Sequence, residues 1–309
     1  MVFAMHQIQV ACLVRHAADS PWHRAFLSRL ARDQLLLASA TTEAGSGSDV
    51  RRSECAVLLQ PGVACLEKTG CVISYAQQSD AVLATARRSP DSAPSDQVAI
   101  LAERAQCRLD PISHWDALGM RGTCSQGYNL ALEVAPEQIV PATYAAIAAE
   151  TMLPVSHITW AALWLGIATA ACSRARTVVR RRTQPGGAVP GGAVRLAGTL
   201  AQLQALRAQV ADAVRRFEAV EHDGDALSSI PFALSMNQLK LTVSTGVIQI
   251  VGDAMLVAGL AGYRNDSPES LGRHLRDAHS ASLMISNERI LGNCAALLGG
   301  YRGEEELYP

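Results

Sequence analysis

The sequence lacks several features that define common classes of protein. None of its eight cysteines forms a C-x-x-C pair, which excludes the usual zinc-binding patterns. Its 27 basic and 28 acidic side chains nearly cancel, so it has no general attraction to nucleic acid or to an anionic membrane. Hydrophobic residues make up 49% and charged residues 18%, a balance that excludes disorder for most of the chain. We therefore expect a folded protein that does not bind nucleic acid.

Targeting and membrane-spanning patterns are also missing. The first residues, 1–5, have no basic start and are soon followed by polar residues, unlike a secretory signal. The longest apolar run, 159–172, is too short to span a bilayer and predicts a buried helix. The scattered cysteines have mostly apolar neighbours, which is typical of buried thiols in a reducing compartment. These features predict a cytoplasmic protein without membrane insertion.

Nucleotide-binding, hydrolase and metal signatures are absent too. Gly45 and Gly47 lack the third glycine of a dinucleotide fingerprint, and strands and helices do not alternate around them. The chain contains no G-x-S-x-G, P-loop or H-E-x-x-H sequence. His274, Asp277 and His279 share one predicted helix, but their spacing does not bring both histidines to one metal-facing side. The sequence predicts no metal site.

What the sequence does contain is three successive regions that differ in their predicted secondary structure. Residues 1–36 form the first part, which is predicted to be helical over 6–36, with Ser20 as an N-cap and Pro21 in the first turn. Residues 37–140 alternate short β-type runs with clusters of Gly, Pro, Ser and Asp, which predicts a compact antiparallel sheet or barrel. Residues 141–309 are predicted to be helical again. We expect an α+β protein with N-terminal helices, a central antiparallel β-barrel-like domain and a C-terminal four-helix bundle.

The runs and stripes give approximate bounds for these elements. The β-type runs cover 55–59, 71–75, 81–86 and 98–101. The C-terminal helices are predicted over 157–181, 196–217, 232–258 and 268–298. Apolar residues recur every three or four positions in the second of them, which indicates a continuous buried stripe.

Two motifs lie in the part of the chain with β-type texture. The segment 42–49, T-E-A-G-S-G-S-D, resembles the T-E-P-x-x-G-S-D segment that opens the β-domain of acyl-CoA dehydrogenases. Lys68, followed by Ile73, Ser74 and Asp80, resembles the G-x-K-x-x-I-T-N-x-x-x-A-D stretch of that family. Both motifs correspond to the cofactor-facing side of the family's β-domain.

Two further motifs complete the series. The segment 115–125, W-D-A-L-G-M-R-G-T-C-S, resembles the family's L-G-x-R-x-T-x-S turn. Near the end, 259–263, G-L-A-G-Y, followed by R-D-A at 276–278, resembles its G-G-x-G-Y…R-D-A signature. Because four weak motifs occur in the family's order and in the matching textures, the chain resembles the flavin-dependent acyl-CoA dehydrogenase family over roughly residues 6–298.

The resemblance implies roles for individual residues. Thr42 and Ser74 fall where the family places hydroxyls that hydrogen-bond the flavin ring, and Ser48 falls where it contacts the thioester ligand. The alternative for all three is that Ser and Thr cap turns. Arg176 belongs to a cluster of arginines at a helix end, which either complements the helix dipole or holds a cofactor phosphate. The implied cofactor is FAD, and the implied ligand is an acyl thioester of CoA or of an acyl carrier protein.

The resemblance fails at the residue that should remove a proton. In most of the family this base is a glutamate nine residues after the arginine of R-D-A, and counting from Arg276 leads to Ile285. An isoleucine cannot accept a proton. Glu288 lies one turn beyond on a similar face of the predicted helix and is the candidate replacement, against the alternative of a solvated residue. His157 is a weaker candidate.

Two other departures concern the cofactor and the start of the chain. Leu260 replaces the second glycine of G-G-x-G-Y, and Leu256 replaces an upstream glutamine. In the family this stretch helps to hold the adenosine end of a neighbouring subunit's FAD, where leucine would crowd the ligand or lose a polar contact. The helices ahead of the first motif are fewer than in the family. This predicts a shortened gene product, a mis-assigned start or one half of a hetero-oligomer.

Three functions stay open at this point. The leading hypothesis is an acyl-CoA dehydrogenase-type flavoenzyme that oxidises an acyl thioester and passes electrons to a partner protein. The second is a non-catalytic subunit paired with an active homologue. The third is a flavin-dependent monooxygenase on the same fold, for which no α-proton base is needed. A homo- or hetero-oligomer is expected.

Overall fold

The computed structural model describes residues 1–45 and 49–299. Contacts divide the chain into two compact units. The first unit contains residues 1–117 and 121–156, and the second contains residues 118–120 and the chain from 157 onward. The finer division into three parts stays a prediction.

Two helices open the first unit, α1 (Val2–His16) and α2 (Pro21–Asp33). Ser20 occupies the N-cap position of α2 with proline in the first turn, which confirms the predicted start. Gln34 adopts a left-handed conformation and ends the helix. The apolar faces of both helices pack against the first sheet of the unit.

Seven strands follow in the described part of the chain. They are β1 (Leu37–Ala40), β2 (Leu58–Gln60), β3 (Val63–Gly70), β4 (Ala81–Arg87), β5 (Gln97–Glu103), β6 (Cys107–Pro111) and β7 (Tyr128–Val134). One sheet has the order β1-β4-β5 and the other the order β2-β3-β7-β6. The predicted strands at 81–86 and 98–101 are confirmed as β4 and β5. The strand predicted over 71–75 is wrong, because these residues form a loop that contains the left-handed Tyr75.

The prediction of a barrel-like closure is wrong, since both sheets are open within the described residues. Strands β1 and β4 also pair in parallel, so the sheet is not wholly antiparallel. The reason lies in how the first sheet is covered. Leu83 and Leu101 pack in the core shared with α1 and α2, whereas Val82 and Ile100 pack in the core shared with the second sheet. A layer of helices and a second sheet bury both faces of the first sheet, so no closure is needed.

The remaining elements are helical. A short α3 (Tyr144–Ile147) and one π-helical turn (Ala148–Met152) precede α4 (Leu153–Arg182), α5 (Ala193–Val220), α6 (Gly224–Leu227), α7 (Ile230–Ala258), α8 (Leu260–Tyr263), α9 (Gly272–Leu283) and α10 (Asn287–Leu298). Helix α7 packs against α5, α9 and α10. The helices predicted over 157–181, 196–217 and 232–258 are confirmed. The helix predicted over 268–298 is two helices, because the chain leaves the helical conformation at Ile285, with φ of 48°.

Two helical segments, Tyr144–Arg182 and Ile230–Ala258, are long and apolar enough to cross a membrane by length and composition alone. Core helices of globular proteins meet the same criterion, and α7 buries a long row of side chains. The expectation of a protein without membrane insertion stays a prediction.

All eight cysteines are free thiols. Cys12, Cys107 and Cys172 are buried, as expected from their apolar neighbours. Cys71 and Cys124 are exposed, so the prediction of buried thiols is wrong for these two, which lie on loops beside the predicted site residues.

Candidate functional site

A buried carboxylate anchors the first motif. Glu43 accepts hydrogen bonds from the Ser53 hydroxyl (2.7 Å) and the Cys55 amide (2.8 Å), and its Oε2 lies 3.9 Å from Nζ of Lys68. Burial by itself raises the pKa of Glu43, but these hydrogen bonds and the Lys68 charge outweigh burial and lower the pKa below its ordinary value. The carboxylate therefore stays ionised and holds the chain directly after Thr42.

Lys68, from the second motif, completes this buried pair. Its ammonium group donates to the carbonyl of Thr85 (2.7 Å) and to the Thr85 hydroxyl (3.3 Å). Burial lowers the pKa of Lys68, and the negative charge of Glu43 opposes that effect. Lys68 lies on β3 of one sheet and Thr85 on β4 of the other. The Lys68 side chain therefore links the two sheets through Thr85 and the first two motifs through Glu43.

The two candidate flavin contacts lie on neighbouring loops of the first unit. The Thr42 hydroxyl donates to the carbonyl of Val72 (3.1 Å). The Ser74 hydroxyl shares a hydrogen bond with that of Ser125 (2.8 Å), which shares another with that of Thr123 (2.7 Å). The structure thus brings together residues of the first three motifs.

Backbone strain marks the same loops. Tyr75 and Cys124 have φ of 44° and 45°, a left-handed conformation that costs a residue with a Cβ roughly 1–2 kcal/mol. Tyr75 is held there because its amide donates to the carbonyl of Thr123 (2.8 Å) and its hydroxyl to that of Leu37 (3.2 Å). Held strain of this kind concentrates at binding and catalytic sites, so it supports the loop pair as a candidate site.

The hydroxyl chain suits a ligand with a polar ring edge, such as the flavin ring that the family resemblance implies. In the chain Ser74–Ser125–Thr123 either oxygen of each hydrogen bond can be the donor. Ser74 can therefore offer a proton or a lone pair without moving heavy atoms. A flavin ring needs both, because one of its ring nitrogens changes from acceptor to donor on reduction. Ser48, the candidate thioester contact, lies outside the described residues.

In the second unit the third and fourth motifs meet directly. A Cβ on Gly119 would overlap the carbonyl group of Arg276, so only glycine fits against this turn of α9. The next residue, Met120, has φ of 51° and donates its amide to the Asp277 carboxylate (2.7 Å). Asp277 therefore fixes the segment 118–120 on α9, and two motifs that are distant in sequence form one structural feature.

Ile285, at the position of the family's base, forms a tight turn between α9 and α10. Its carbonyl accepts a hydrogen bond from Nζ of Lys240 (2.6 Å), which also donates to Oδ1 of Asn287 (2.5 Å). Ser244 bonds the same Asn287 side chain (3.2 Å), and the Lys240 ammonium lies 5.7 Å from the centre of the Trp164 ring. Burial lowers the pKa of Lys240 to about 8. Within the described residues, no carboxylate forms a hydrogen bond with Lys240 or Asn287.

The other predicted site residues lie apart from this turn. Glu288 is exposed in the first turn of α10, where a negative charge favours the helix dipole. The argument that it shares a helix face with Ile285 is wrong, because α9 ends at Leu283 and the left-handed Ile285 breaks the helix. Arg176 is exposed on α4, and His157 is buried with its ring 6.2 Å from that of Trp160. Their proposed roles stay predictions.

The fourth motif presents apolar side chains. Leu256 and Leu260 are 65% and 70% exposed. A Cβ on Gly262 would lie 2.7 Å from that of Ala258, so this glycine is needed for packing. The resemblance implies contact with an adenosine group here, and neither leucine offers it a hydrogen bond.

Sequence reasoning missed Lys240 and its partners Ser244 and Asn287. A signal for Lys240 was present, since it is the single charged residue between positions 230 and 252 of a strongly apolar helix. Ser125 and Thr123 were recognised only as motif letters, and their hydroxyl chain to Ser74 depends on how two loops meet.

Comparison with known proteins shows what the chain is similar to. Residues 146–293 match the family described as acyl-CoA dehydrogenase, C-terminal domain. The amino sugar nitrososynthase DnmZ from Streptomyces peucetius is 28% identical over 282 residues, which cover 86% of this chain and 67% of that protein.

Two solved structures share the fold. FMN-bound TdsC from Paenibacillus sp. A11-2, a dibenzothiophene monooxygenase, is 19% identical with a TM-score of 0.81, over 98% of this chain and 80% of that one. Butyryl-CoA dehydrogenase from Megasphaera elsdenii is 20% identical with a TM-score of 0.80, over 96% of this chain and 76% of that one. The chain therefore has the acyl-CoA dehydrogenase fold, and its residues 146–293 are similar to the C-terminal domain of that family.

Proposed function

We propose that this chain is a flavin-dependent monooxygenase with the acyl-CoA dehydrogenase fold, and that it oxygenates an amine nitrogen of its substrate. The observation that carries the proposal is the turn at Ile285. An aliphatic side chain occupies the position of the base, and the turn is held by the ammonium group of Lys240 rather than by a carboxylate. Dehydrogenation of an acyl thioester requires a group that accepts the α-proton, whereas oxygenation does not.

The dehydrogenase hypothesis depends on Glu288 as a substitute base. Its carboxylate is exposed at the start of α10, and the break at Ile285 removes the helical geometry that would have placed it one turn beyond the family's base. Oxidation of an acyl thioester, carried on CoA or on a carrier protein, is therefore the less supported alternative.

The proposed reaction balances with an external source of electrons. When bound, a reduced flavin supplies two electrons to molecular oxygen; one oxygen atom forms the N–O bond and the other leaves as water. The electron-transfer partner is then a flavin reductase rather than an acceptor protein. On the protein side, Ser74 is proposed to donate to or accept from the ring through the hydroxyl chain, with Thr42 beside it.

The relatives support this reaction class. DnmZ is described as acting on an amino sugar, and TdsC is described as a monooxygenase. The proposed flavin is FAD, with Arg176 as a phosphate contact, and FMN is the alternative because TdsC is FMN-bound. A homo- or hetero-oligomer is proposed from the family resemblance.

The test combines a flavin spectrum with two half-reactions. The purified protein, saturated with FAD or FMN, is mixed without oxygen with butyryl-CoA and with longer acyl-CoA thioesters. We expect no bleaching of the flavin absorbance. After reduction by NADH and a flavin reductase, oxygen and a panel of amino sugars including glucosamine are added, and mass spectrometry is expected to detect a product with one added oxygen atom.

Two outcomes would contradict the proposal. Bleaching by an acyl-CoA without oxygen would establish dehydrogenation, and a Glu288→Gln variant would then be expected to lose it, while Glu218→Gln, an exposed glutamate of α5, would not. A colourless protein that binds neither FAD nor FMN would support the non-catalytic subunit instead.

A further inference from the structure

An open groove in the second unit has an unusual lining. It encloses about 410 Å³ between α4, the loop before α9 and the start of α9. Its lining residues are polar or basic without exception: Arg174, Asn265, Ser267, Ser270, Arg273, His274 and Arg276. A groove of this composition attracts an anion rather than an apolar ligand.

In the part of the chain that the structure describes, the three arginines of the groove are not held in ion pairs. Within the described residues, Arg174, Arg273 and Arg276 form no salt bridge, whereas Arg181, also on α4, is paired with Glu269. Arg174 donates to the carbonyl of Ser270 (2.6 Å), which fixes its guanidinium group and leaves further N–H donors. Guanidinium groups bind phosphate oxygens with two parallel hydrogen bonds, so such a cluster is suited to a phosphate group.

Three of the groove residues have polar atoms close to Gly272. A Cβ on Gly272, the first residue of α9, would lie 2.9 Å from Oδ1 of Asn265, 3.3 Å from Nη1 of Arg276 and 3.8 Å from Oγ of Ser270. Polar atoms from the loop and from α9 therefore lie close together beside Gly272, which has no side chain to separate them. The positive end of the helix dipole adds to the side-chain charges at this point.

His274, one of the groove residues, has a polar atom that no other group of the described chain satisfies. Its Nδ1 is buried and has no hydrogen-bond partner among the described residues. Burial, and then the charges of Arg174 and Arg273, lower the pKa of His274, while Asp277 acts in the opposite direction. A buried polar atom without a partner is uncommon in native proteins, and a bound ligand is one explanation for it.

An adjoining compartment of about 320 Å³ shares Arg273 and His274 with the groove. Its far wall is apolar and comes from α4, through Leu163, Ile167 and Ala170. Asp277 also lines this compartment, and its carboxylate accepts a hydrogen bond from the Met120 amide. The two compartments together would hold a ligand with a charged end and an organic end.

We propose that this groove binds a diphosphate ester, with the diphosphate against Arg174, Arg273 and Arg276 and the organic group in the apolar compartment. The site is built only from residues of the second unit and does not depend on the proposed oxygenation. Its ligand is a substrate, effector or carrier group that bears a diphosphate, and the bound flavin is not required for it.

The test is calorimetric titration of the flavin-saturated protein with three probes: inorganic phosphate, inorganic pyrophosphate and ADP. We expect affinity to rise in that order. Arg273→Gln and Arg276→Gln are each expected to weaken ADP binding at least tenfold, because each removes a guanidinium group that would pair with the diphosphate. Arg215→Gln removes an exposed charge on α5 and is expected to leave binding unchanged.

Three results would overturn the proposal. The first is no ADP binding at millimolar concentration. The second is equal loss in Arg273→Gln and Arg215→Gln. The third is release of the flavin by ADP, followed through its absorbance, which would assign the binding to the flavin site. Equal affinity for pyrophosphate and ADP would contradict the proposed binding of the organic group in the apolar compartment. None of these results bears on oxygen transfer, so this proposal and the proposed function fail separately.

Discussion

Each of the two units contains one buried lysine, and the chain has no other lysine. In the first unit, Lys68 lies 3.9 Å from the carboxylate of Glu43. In the second, Lys240 donates to two neutral oxygens, the carbonyl of Ile285 and the amide oxygen of Asn287. One buried charge is compensated by an opposite charge and the other only by dipoles.

The different partners of the two lysines show how each unit stabilises the loops or turn of its candidate site. In the first unit, an ion pair joins two motifs, and removing one partner leaves the other as a bare buried charge. In the second unit, the dipoles around Lys240 compensate less than a carboxylate would, and burial lowers its pKa to about 8. Burial lowers the pKa of both lysines, but only Lys68 has a neighbouring carboxylate whose charge opposes that effect.

The largest expected effect breaks the first arrangement. Glu43→Gln leaves Lys68 buried without a counter-charge, and we expect the free energy of unfolding to fall by about 3–5 kcal/mol. The measurement is urea denaturation at pH 7. Glu54→Gln, an exposed neighbour, is the control and is expected to change stability by less than about 0.5 kcal/mol. Equal losses in the two variants would show that the buried pair does not stabilise the first motif.

A smaller effect is expected from removing the other lysine. Lys240→Met deprives the Ile285 carbonyl of its donor but also removes the cost of a buried charge, so we expect a change within about 1 kcal/mol. The turn itself should loosen, which hydrogen exchange at residues 285–287 would detect as faster exchange. A loss of stability as large as that of Glu43→Gln would contradict the contrast between the two lysines.

The pH dependence sharpens the same contrast. An unfolded lysine has a pKa of about 10.4, whereas Lys240 titrates near 8 in the folded protein. Between these values the unfolded state binds more protons, so the contribution of Lys240 makes stability rise with pH. The pKa of Lys68 is also lowered, so Lys68 contributes in the same direction. It is present in the wild type and in Lys240→Met alike, so its contribution cancels in the comparison. We expect the stability of Lys240→Met to rise less than that of the wild type from pH 8 to 10; parallel curves would refute this.

The last prediction is that neither buried lysine reacts with a reagent added to the folded protein. Reductive methylation of the folded protein is expected to modify neither lysine, because Lys68 is 4% and Lys240 is 0% exposed. In urea both should react, and mass spectrometry of peptides counts them. Modification of Lys240 in the folded protein would mean that the turn at Ile285 opens readily.

The helices were predicted well because their signal is local. Apolar residues every three or four positions predicted α5, and a long apolar run predicted α4. The break between α9 and α10 was missed because isoleucine is not a helix-breaking residue. Ile285 is left-handed in a turn whose carbonyl accepts a hydrogen bond from Lys240 of α7, and that contact is not visible in the sequence. The open sheets were mistaken for a barrel because closure depends on what covers each face, which strand patterns do not show.

For the candidate site, the sequence by itself determined the family resemblance, since four motifs occur in the family's order with Thr42, Ser74 and the R-D-A at 276–278 among them. It also determined that Ile285 stands in place of a base. Only the tertiary structure decided how those residues are held: the ion pair of Glu43, the hydroxyl chain of Ser74 and the lysine behind Ile285. The physical reason is range. Periodicity and spacing act over a few residues, whereas a hydrogen bond between distant residues depends on the fold that brings its two atoms together.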